Sequence, residues 1–151
     1  MDDTRPLTDG ERASLGDQLA AAGRFVADYG SSRHPDGLDA VDHAWASWLD
    51  RQVVDPQDPD AVIAAVGAAF GRALVADVPG LDWAIAPSGP ATEPAPDGAG
   101  ELAVAGSVGG NTVVVYLESF VAKRYHARTA TFLVEAAAEI AAEVERLRRT
   151  P

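Results

Sequence analysis

The chain has 151 residues and a formal net charge of −11, because 23 acidic residues outnumber 12 basic ones. This surplus of acids argues against binding to nucleic acids or anionic membranes, which requires clustered Lys and Arg. There is no cysteine, and this excludes disulfides, thiolate catalysis and thiolate metal ligands.

The length suits a single domain, residues 1–151, with a conventional hydrophobic core. The sequence near Met1 lacks a positively charged start followed by an apolar run, so we expect no secretory signal and a cytoplasmic location. We expect residues 1–7 to be disordered. The first helix should begin after Thr8, which forms a capping box pattern with Glu11, and it should end at Gly30.

A second helix is predicted over about residues 38–52. Trp45 and Trp48 fall on its buried stripe, and we assign them to the core rather than to a ligand platform. The polar residues that should lie mostly away from this stripe are Asp39, Asp42, His43 and Asp50. Asp39 and His43 are four residues apart but complete no ligand set, so we predict no metal site and no cofactor.

The most apolar predicted helix follows and ends near Val78. Asp58 can cap this helix, and Pro59 suits its first position. Gly67 and Gly71 lie one turn apart on one face, and each costs about 1 kcal/mol relative to Ala in a helix interior. We therefore predict a buried rod whose glycine face is closely approached by another backbone.

Three strands are predicted next, over residues 81–86, 101–105 and 112–116, and their order indicates an antiparallel meander. The Pro-rich segment 87–100 should be a mobile loop. Gly109-Gly110-Asn111 indicates a hairpin turn. The third strand is apolar on both faces, which predicts that other elements cover both of its sides.

Helical structure should end the chain. Residues 117–126 form either a short helix or an irregular crossing segment, and the last helix should run from about Ala130 to Arg148. The predicted class is α+β: three N-terminal helices, a three-stranded antiparallel meander and a C-terminal helix packed on a small sheet.

Several elements together resemble one bacterial family. They are Trp45-x-x-Trp48-Leu49, Val66-Gly67-Ala68-Ala69-Phe70-Gly71, Leu81-x-Trp83, Glu101-Leu102-Ala103-Val104 and Ser119-x-Val121-Ala122-Lys123-Arg124. Their order and spacing over residues 38–130 resemble the bacterial domain of unknown function 3806. That family usually shows a Pro before the last element, where this chain has Tyr116-Leu117-Glu118. The resemblance implies the same architecture, and the family has no established activity.

A basic cluster in this acidic chain is the candidate site. Arg124 could bind a carboxylate or phosphate through two parallel hydrogen bonds. The predicted site, for an anion or an acidic partner, consists of Lys123, Arg124, His126, Arg128 and Ser119. The alternative is a solvated helix end, where the helix dipole favours cations. Ser119 and His126 lack the elbow motif and the orienting acid of a serine hydrolase, so we predict no catalytic residue.

Three function classes remain open. The preferred one is a non-enzymatic protein-interaction module of the adaptor or immunity type, which would use the sheet or the basic cluster. The alternative is a small-molecule anion-binding protein or an enzyme that uses Lys123, Arg124 and His126. The third is a structural unit of a homodimer, formed through the edge of the third strand or the face that carries Trp45 and Trp48.

Overall fold

The structure is a computed structural model that describes residues 4–30, 37–86 and 100–149. It confirms the predicted α+β class and the order of three helices, a meander and a C-terminal helix; residues 117–126 form a further short helix. The elements are α1 (Asp9–Tyr29), α2 (Gly37–Val54), α3 (Asp60–Asp77), β1 (Asp82–Ala86), β2 (Glu101–Val108), β3 (Asn111–Tyr116), α4 (Leu117–His126) and α5 (Leu133–Arg149). Among the described residues, no helix combines the length and the apolar character that crossing a membrane requires.

The start of α1 confirms the predicted capping box. The Thr8 hydroxyl accepts a hydrogen bond from the Glu11 N–H, and the Glu11 carboxylate accepts one from the Thr8 N–H. Arg5 donates two hydrogen bonds to the same carboxylate, at 2.7 and 2.8 Å. These hydrogen bonds lower the pKa of Glu11 to about 2, and those from Arg5 have the largest effect.

Residues 4–7 do not follow the expectation of disorder for residues 1–7. Arg5 exchanges two backbone hydrogen bonds with Ile85 of β1, and the Leu7 side chain is buried. The segment is held because its backbone pairs with the sheet and its leucine joins a small apolar cluster with Leu15. Residues 1–3 lie outside the described residues. So do residues 87–99 of the predicted mobile loop and the connector over residues 31–36.

Helix α3 is the buried rod that the sequence predicts. Val66, Phe70 and Leu74 are fully buried. The helix begins at Asp60, one residue later than predicted, and the Asp58 side chain accepts a hydrogen bond from the Asp60 N–H. A Cβ on Gly67 would lie 3.4 Å from backbone atoms of Leu117. The close backbone approach predicted at this glycine is therefore confirmed, and the approaching backbone is the first turn of α4.

Gly71 is required for a different reason. A Cβ on Gly71 would lie 2.6 Å from the side chains of Leu117 and Trp83, which is closer than a carbon contact allows. The second glycine thus leaves room for side chains rather than for a backbone. Together the two glycines seat α4 and β1 against the central helix.

The sheet has the order β1-β2-β3, and both strand pairs are antiparallel. The β2–β3 turn at Gly109 and Gly110 has φ values of 56° and 81°, as a two-residue hairpin turn with both residues in the left-handed region requires. The prediction that β3 is covered on both sides is wrong. Its three valines are half-buried and Tyr116 is exposed, because β3 is the edge strand of the sheet and only one of its faces packs on the helices.

The prediction for Asp42 is also wrong, since this carboxylate is buried. Its oxygens accept hydrogen bonds from the backbone N–H groups of Phe132, Leu133 and Val134, at 2.8–3.0 Å. Asp42 therefore caps the N-terminus of α5 from another helix. This cap accompanies a later start of α5, at Leu133, than the sequence predicts.

Candidate functional site

Helix α4 positions the basic residues that the sequence singles out. Leu117 and Val121 are fully buried on one side of this helix, so its orientation is fixed by the core. Four of the predicted site residues lie at the C-terminal end of α4 or just after it: Lys123, Arg124, His126 and Arg128. We call these four residues the basic end of α4.

Aromatic rings support the two arginines of the basic end. The Arg124 guanidinium lies 4.6 Å from the centroid of the Phe120 ring and 6.0 Å from that of Phe132. The Arg128 guanidinium lies 5.5 Å from the Tyr125 ring. A guanidinium stacked on a ring keeps its N–H groups available at its edge. Both arginines are therefore held in place without using their hydrogen-bond donors on neighbouring side chains.

Tyr125 connects the basic end to the main aromatic cluster of the core. Its ring contacts the rings of Trp45 and Trp48, with centroid distances of 6.3 and 5.6 Å. Both tryptophans are buried, which confirms their assignment to the core. Since both indoles are buried within one chain, neither is exposed for contact with a second copy. The basic end is thus connected through Tyr125 to the buried aromatic rings of the core.

No acid neutralises the basic end among the described residues. Lys123, His126 and Arg128 are exposed, Arg124 is half-buried, and none of the four forms an ion pair with another described residue. The C-terminal end of a helix carries partial negative charge, which favours cations there. Arg128 also has a φ of 58°, the left-handed region that is strained for a residue with a side chain.

The structure separates Ser119 from the other predicted site residues. Ser119 lies in the first turn of α4, about 10 Å along the helix from His126 by the helical rise. Its hydroxyl donates to one oxygen of Glu101 at 2.7 Å and its backbone N–H donates to the other at 3.0 Å. Ser119 therefore fastens α4 to β2, and it is not poised for proton transfer to His126.

The N-terminal end of α4 borders an acidic crevice, which also involves Asp60, Glu101 and Glu118. Glu118 is exposed overall, but the crevice walls partly screen its carboxylate from water. This screening, followed by the charges of Glu101 and Asp60, raises the pKa of Glu118. No group of three His, Asp or Glu side chains within the described ranges is placed to hold a metal ion. For Asp39 and His43, the pair considered in the sequence analysis, the distance from Oδ1 to Nε2 is 3.7 Å.

An apolar groove lies elsewhere, between α2, α3 and α5. It has a volume of about 660 Å³ and is lined mainly by small apolar residues, with Ala69, Ala73 and Ala137 among them. None of the predicted site residues lines it. In the sequence, alanines at these positions indicate only a closely packed helix face, and nothing distinguishes them from the other alanines of the chain.

Two buried polar residues escape a reading of the sequence. Asp42 caps α5, and the Gln52 side chain bonds both the N–H and the C=O of Gln57 and lies 3.4 Å from the Tyr125 hydroxyl. Gln52 thereby holds the link between α2 and α3. Both residues act through partners that are either distant in sequence or in an irregular segment, so periodicity carries no signal for them.

In comparisons with known proteins, no family model, curated protein or solved structure matches this chain. The resemblance to the bacterial domain of unknown function 3806 stays a prediction.

Proposed function

We propose that this chain is a non-enzymatic protein-interaction module of the adaptor or immunity type. Its basic end of α4 binds an acidic segment of a protein partner in the cytoplasm. The observation that carries the proposal is the combination of four basic side chains that form no ion pair with an acidic residue among the described ones, in a chain with a net charge of −11. On an acidic surface, a cluster of unneutralised cations attracts an acidic partner.

The arginines of the basic end support this choice. Arg124 is oriented by Phe120, and its N–H edge makes no hydrogen bond to another described residue. A preorganised guanidinium loses little freedom when it binds a carboxylate through two parallel bonds. Lys123 and Arg128 add exposed charges on either side of it along the chain. Such spacing suits several carboxylates on one peptide better than one small molecule.

A comparison of charge-reversed proteins tests the proposal. Lys123→Glu with Arg128→Glu removes two cations from the basic end. Arg24→Glu with Arg51→Glu changes the net charge equally at exposed positions of α1 and α2. We expect the unchanged chain and the control to capture the same partner from lysate. When that partner is purified, the Lys123–Arg128 variant should bind it at least about tenfold more weakly than the unchanged chain does. Equal affinity of all three proteins would contradict the proposal.

The partner should carry clustered Asp and Glu, and its affinity should fall as salt is added, because screening weakens exposed charge pairs. Sequencing of the captured protein and a titration at two salt concentrations check both points. A partner that binds with salt-independent affinity would place the interface on an apolar surface instead.

A small-molecule anion site that uses Lys123, Arg124 and His126 is the alternative. The orientation of Arg124 on two rings favours it as well. Inorganic phosphate, nucleotides and dicarboxylates can be screened by thermal shift, since a ligand at 100 times its dissociation constant adds about 2.7 kcal/mol to the free energy of unfolding. Stabilisation of the unchanged chain but not of the Lys123–Arg128 variant would select this alternative.

A further inference from the structure

The last turn of α2 exposes two large apolar side chains. Val53 exposes 76% of its surface and Val54 exposes 86%, the highest values for large apolar residues in the described part of the chain. An exposed apolar residue is common and by itself indicates no partner. The position of these two valines relative to the basic end of α4 therefore decides whether they have a role.

Tyr125 lies between the last turn of α2 and the basic end of α4. The Gln52 side-chain nitrogen is 3.4 Å from the Tyr125 hydroxyl, and Val53 directly follows Gln52. On the basic end, the Arg128 guanidinium lies 5.5 Å from the centroid of the Tyr125 ring, and the His126 ring lies 5.5 Å from the same centroid. The exposed valines are thus next to the basic end and not on a remote surface.

The helical period places Val53 on the side of α2 that faces the residues following the basic end. Asp42 marks this side, because it accepts hydrogen bonds from the first N–H groups of α5. Val53 comes 11 residues after Asp42, close to three full turns, so the two side chains leave α2 in nearly the same direction. Val54 points about 100° further round the helix.

A short peptide is long enough to contact both Val53 and the basic end. The Trp45 indole N–H donates to the Thr129 C=O at 2.8 Å, and Thr129 directly follows Arg128. Val53 lies eight residues after Trp45, which is about 12 Å along α2. An extended chain advances about 3.3 Å per residue, so about four residues span the distance.

The charges around Val53 define which part of such a peptide lies there. Asp50 and Asp55 are exposed on either side of Val53 in the sequence, and Asp50 is three residues away on the same helix. Residues at this spacing are neighbours on a helix surface. Carboxylates of a bound segment are therefore repelled near Val53 and attracted to the basic end.

We infer that Val53 and the basic end of α4 form one docking surface for an acidic partner segment with a single apolar anchor. The segment carries clustered Asp and Glu for the basic end and, about four residues away, an uncharged apolar side chain that covers Val53. The inference rests on the proposed function and adds the specificity of that site. Charge alone attracts many acidic proteins, and coverage of the valine selects among them.

Two synthetic peptides test the inference. The first has four Glu, a spacer of three Gly or Ser residues and one Leu, and the second has Gly in place of the Leu. Each is made in both orders, with the Leu before or after the acids. In calorimetric titrations at low salt, the unchanged chain should bind a Leu peptide about five- to tenfold more tightly than its Gly counterpart, because burial of apolar surface is favourable.

Val53→Thr keeps the branched shape of the side chain but replaces a methyl group by a hydroxyl. It should remove the preference for Leu and leave the circular dichroism spectrum unchanged. Val54→Thr, at the more exposed neighbouring position, is the matched control and should retain the preference. A preference that persists in Val53→Thr, or that disappears equally in both variants, would overturn the inference.

The charge-reversed variant, Lys123→Glu with Arg128→Glu, separates this inference from the proposed function. It should bind every peptide at least about tenfold more weakly than the unchanged chain does. If it does so while the unchanged chain binds Leu and Gly peptides equally, the proposed function stands and the role of Val53 is wrong. Full binding by the charge-reversed variant, or no binding of any peptide to the unchanged chain, would contradict both.

Discussion

The link between α4 and α5 has charged groups on both sides, and the two sides differ in how these groups are satisfied. On the inner side, the buried Asp42 carboxylate accepts three backbone hydrogen bonds, and the Trp45 indole N–H donates to the Thr129 C=O at 2.8 Å. On the outer side, the basic end of α4 is largely exposed and has no acidic partner among the described residues. The inner charge is used by the fold, and the outer charges remain available to a partner.

This difference leads to opposite expectations for substitutions. Removal of a buried charged residue leaves its polar partners without hydrogen bonds in a region that excludes water, and this lowers the free energy of unfolding. Removal of an exposed cation changes that free energy little. Substitutions on the two sides of the link therefore distinguish residues that hold the fold from residues that bind.

Asp42→Ala should have the largest effect. Three backbone N–H groups at the start of α5 lose their acceptor, and we expect the free energy of unfolding to fall by about 3 kcal/mol. Asp42→Asn keeps one acceptor oxygen and should lose about half as much. Urea denaturation measures both. Asp50→Ala, an exposed aspartate of the same helix, is the control and should change the value by less than about 0.5 kcal/mol. A similar small loss in Asp42→Ala would show that water replaces the carboxylate.

Asp42 also shows where a reading of the sequence ends. The helices and strands could be predicted because apolar spacing, the Thr8 cap and the Gly109-Gly110 turn are local signals. Asp42 lies 90 residues from the first N–H that it caps, and a polar residue beside an apolar stripe is normally exposed. Its burial follows from the position of α5, which no local pattern contains.

The candidate site was predictable in part for the same reason. The four basic residues lie within six positions of one another in the sequence, so their proximity needed no knowledge of the fold. The bond between Ser119 and Glu101 joins α4 to β2, and it removes Ser119 from the group that the sequence predicts. The stacking of Arg124 on Phe132 likewise depends on the path of the chain between α4 and α5.

Trp45→Phe should have the next largest effect on the inner side. It removes ring volume and the hydrogen bond to Thr129. Trp48→Phe is a matched control, since Trp48 is also buried but its indole N–H donates to no described residue. We expect Trp45→Phe to lower the free energy of unfolding by about 1 kcal/mol more than Trp48→Phe does, which is the usual net contribution of one hydrogen bond. Equal losses in urea denaturation would show that packing alone fixes the link.

On the outer side, Arg128→Gly should stabilise the chain relative to Arg128→Ala. Both variants remove the same cation, but only glycine adopts a φ of 58° without steric cost. The gain from relief of this strain exceeds the entropy cost of glycine in the unfolded chain, and the difference should be about 1 kcal/mol in favour of Gly. Thermal unfolding of the two variants measures it. Greater stability of Arg128→Ala would mean that the left-handed conformation is not retained in solution.

Glu118 is an intermediate case, because its carboxylate is neither satisfied nor fully exposed. Its pKa is raised first by partial burial and then by the charges of Glu101 and Asp60. A raised folded-state pKa means that Glu118 favours folding below its unfolded pKa and loses this contribution as the pH rises through the folded value.

Glu118→Gln should therefore be slightly more stable than the unchanged chain at neutral pH, by a few tenths of a kcal/mol at most, since the site is partly exposed. The advantage should disappear at about pH 4, where the carboxyl group is protonated in a large fraction of the folded chains. Urea denaturation of both proteins at the two pH values measures the change. Glu135→Gln, in the first turn of α5 and with no charge partner among the described residues, is the control and should show no such gain at neutral pH. A stability loss in Glu118→Gln at neutral pH would mean that the helix dipole outweighs the repulsion within the acidic crevice.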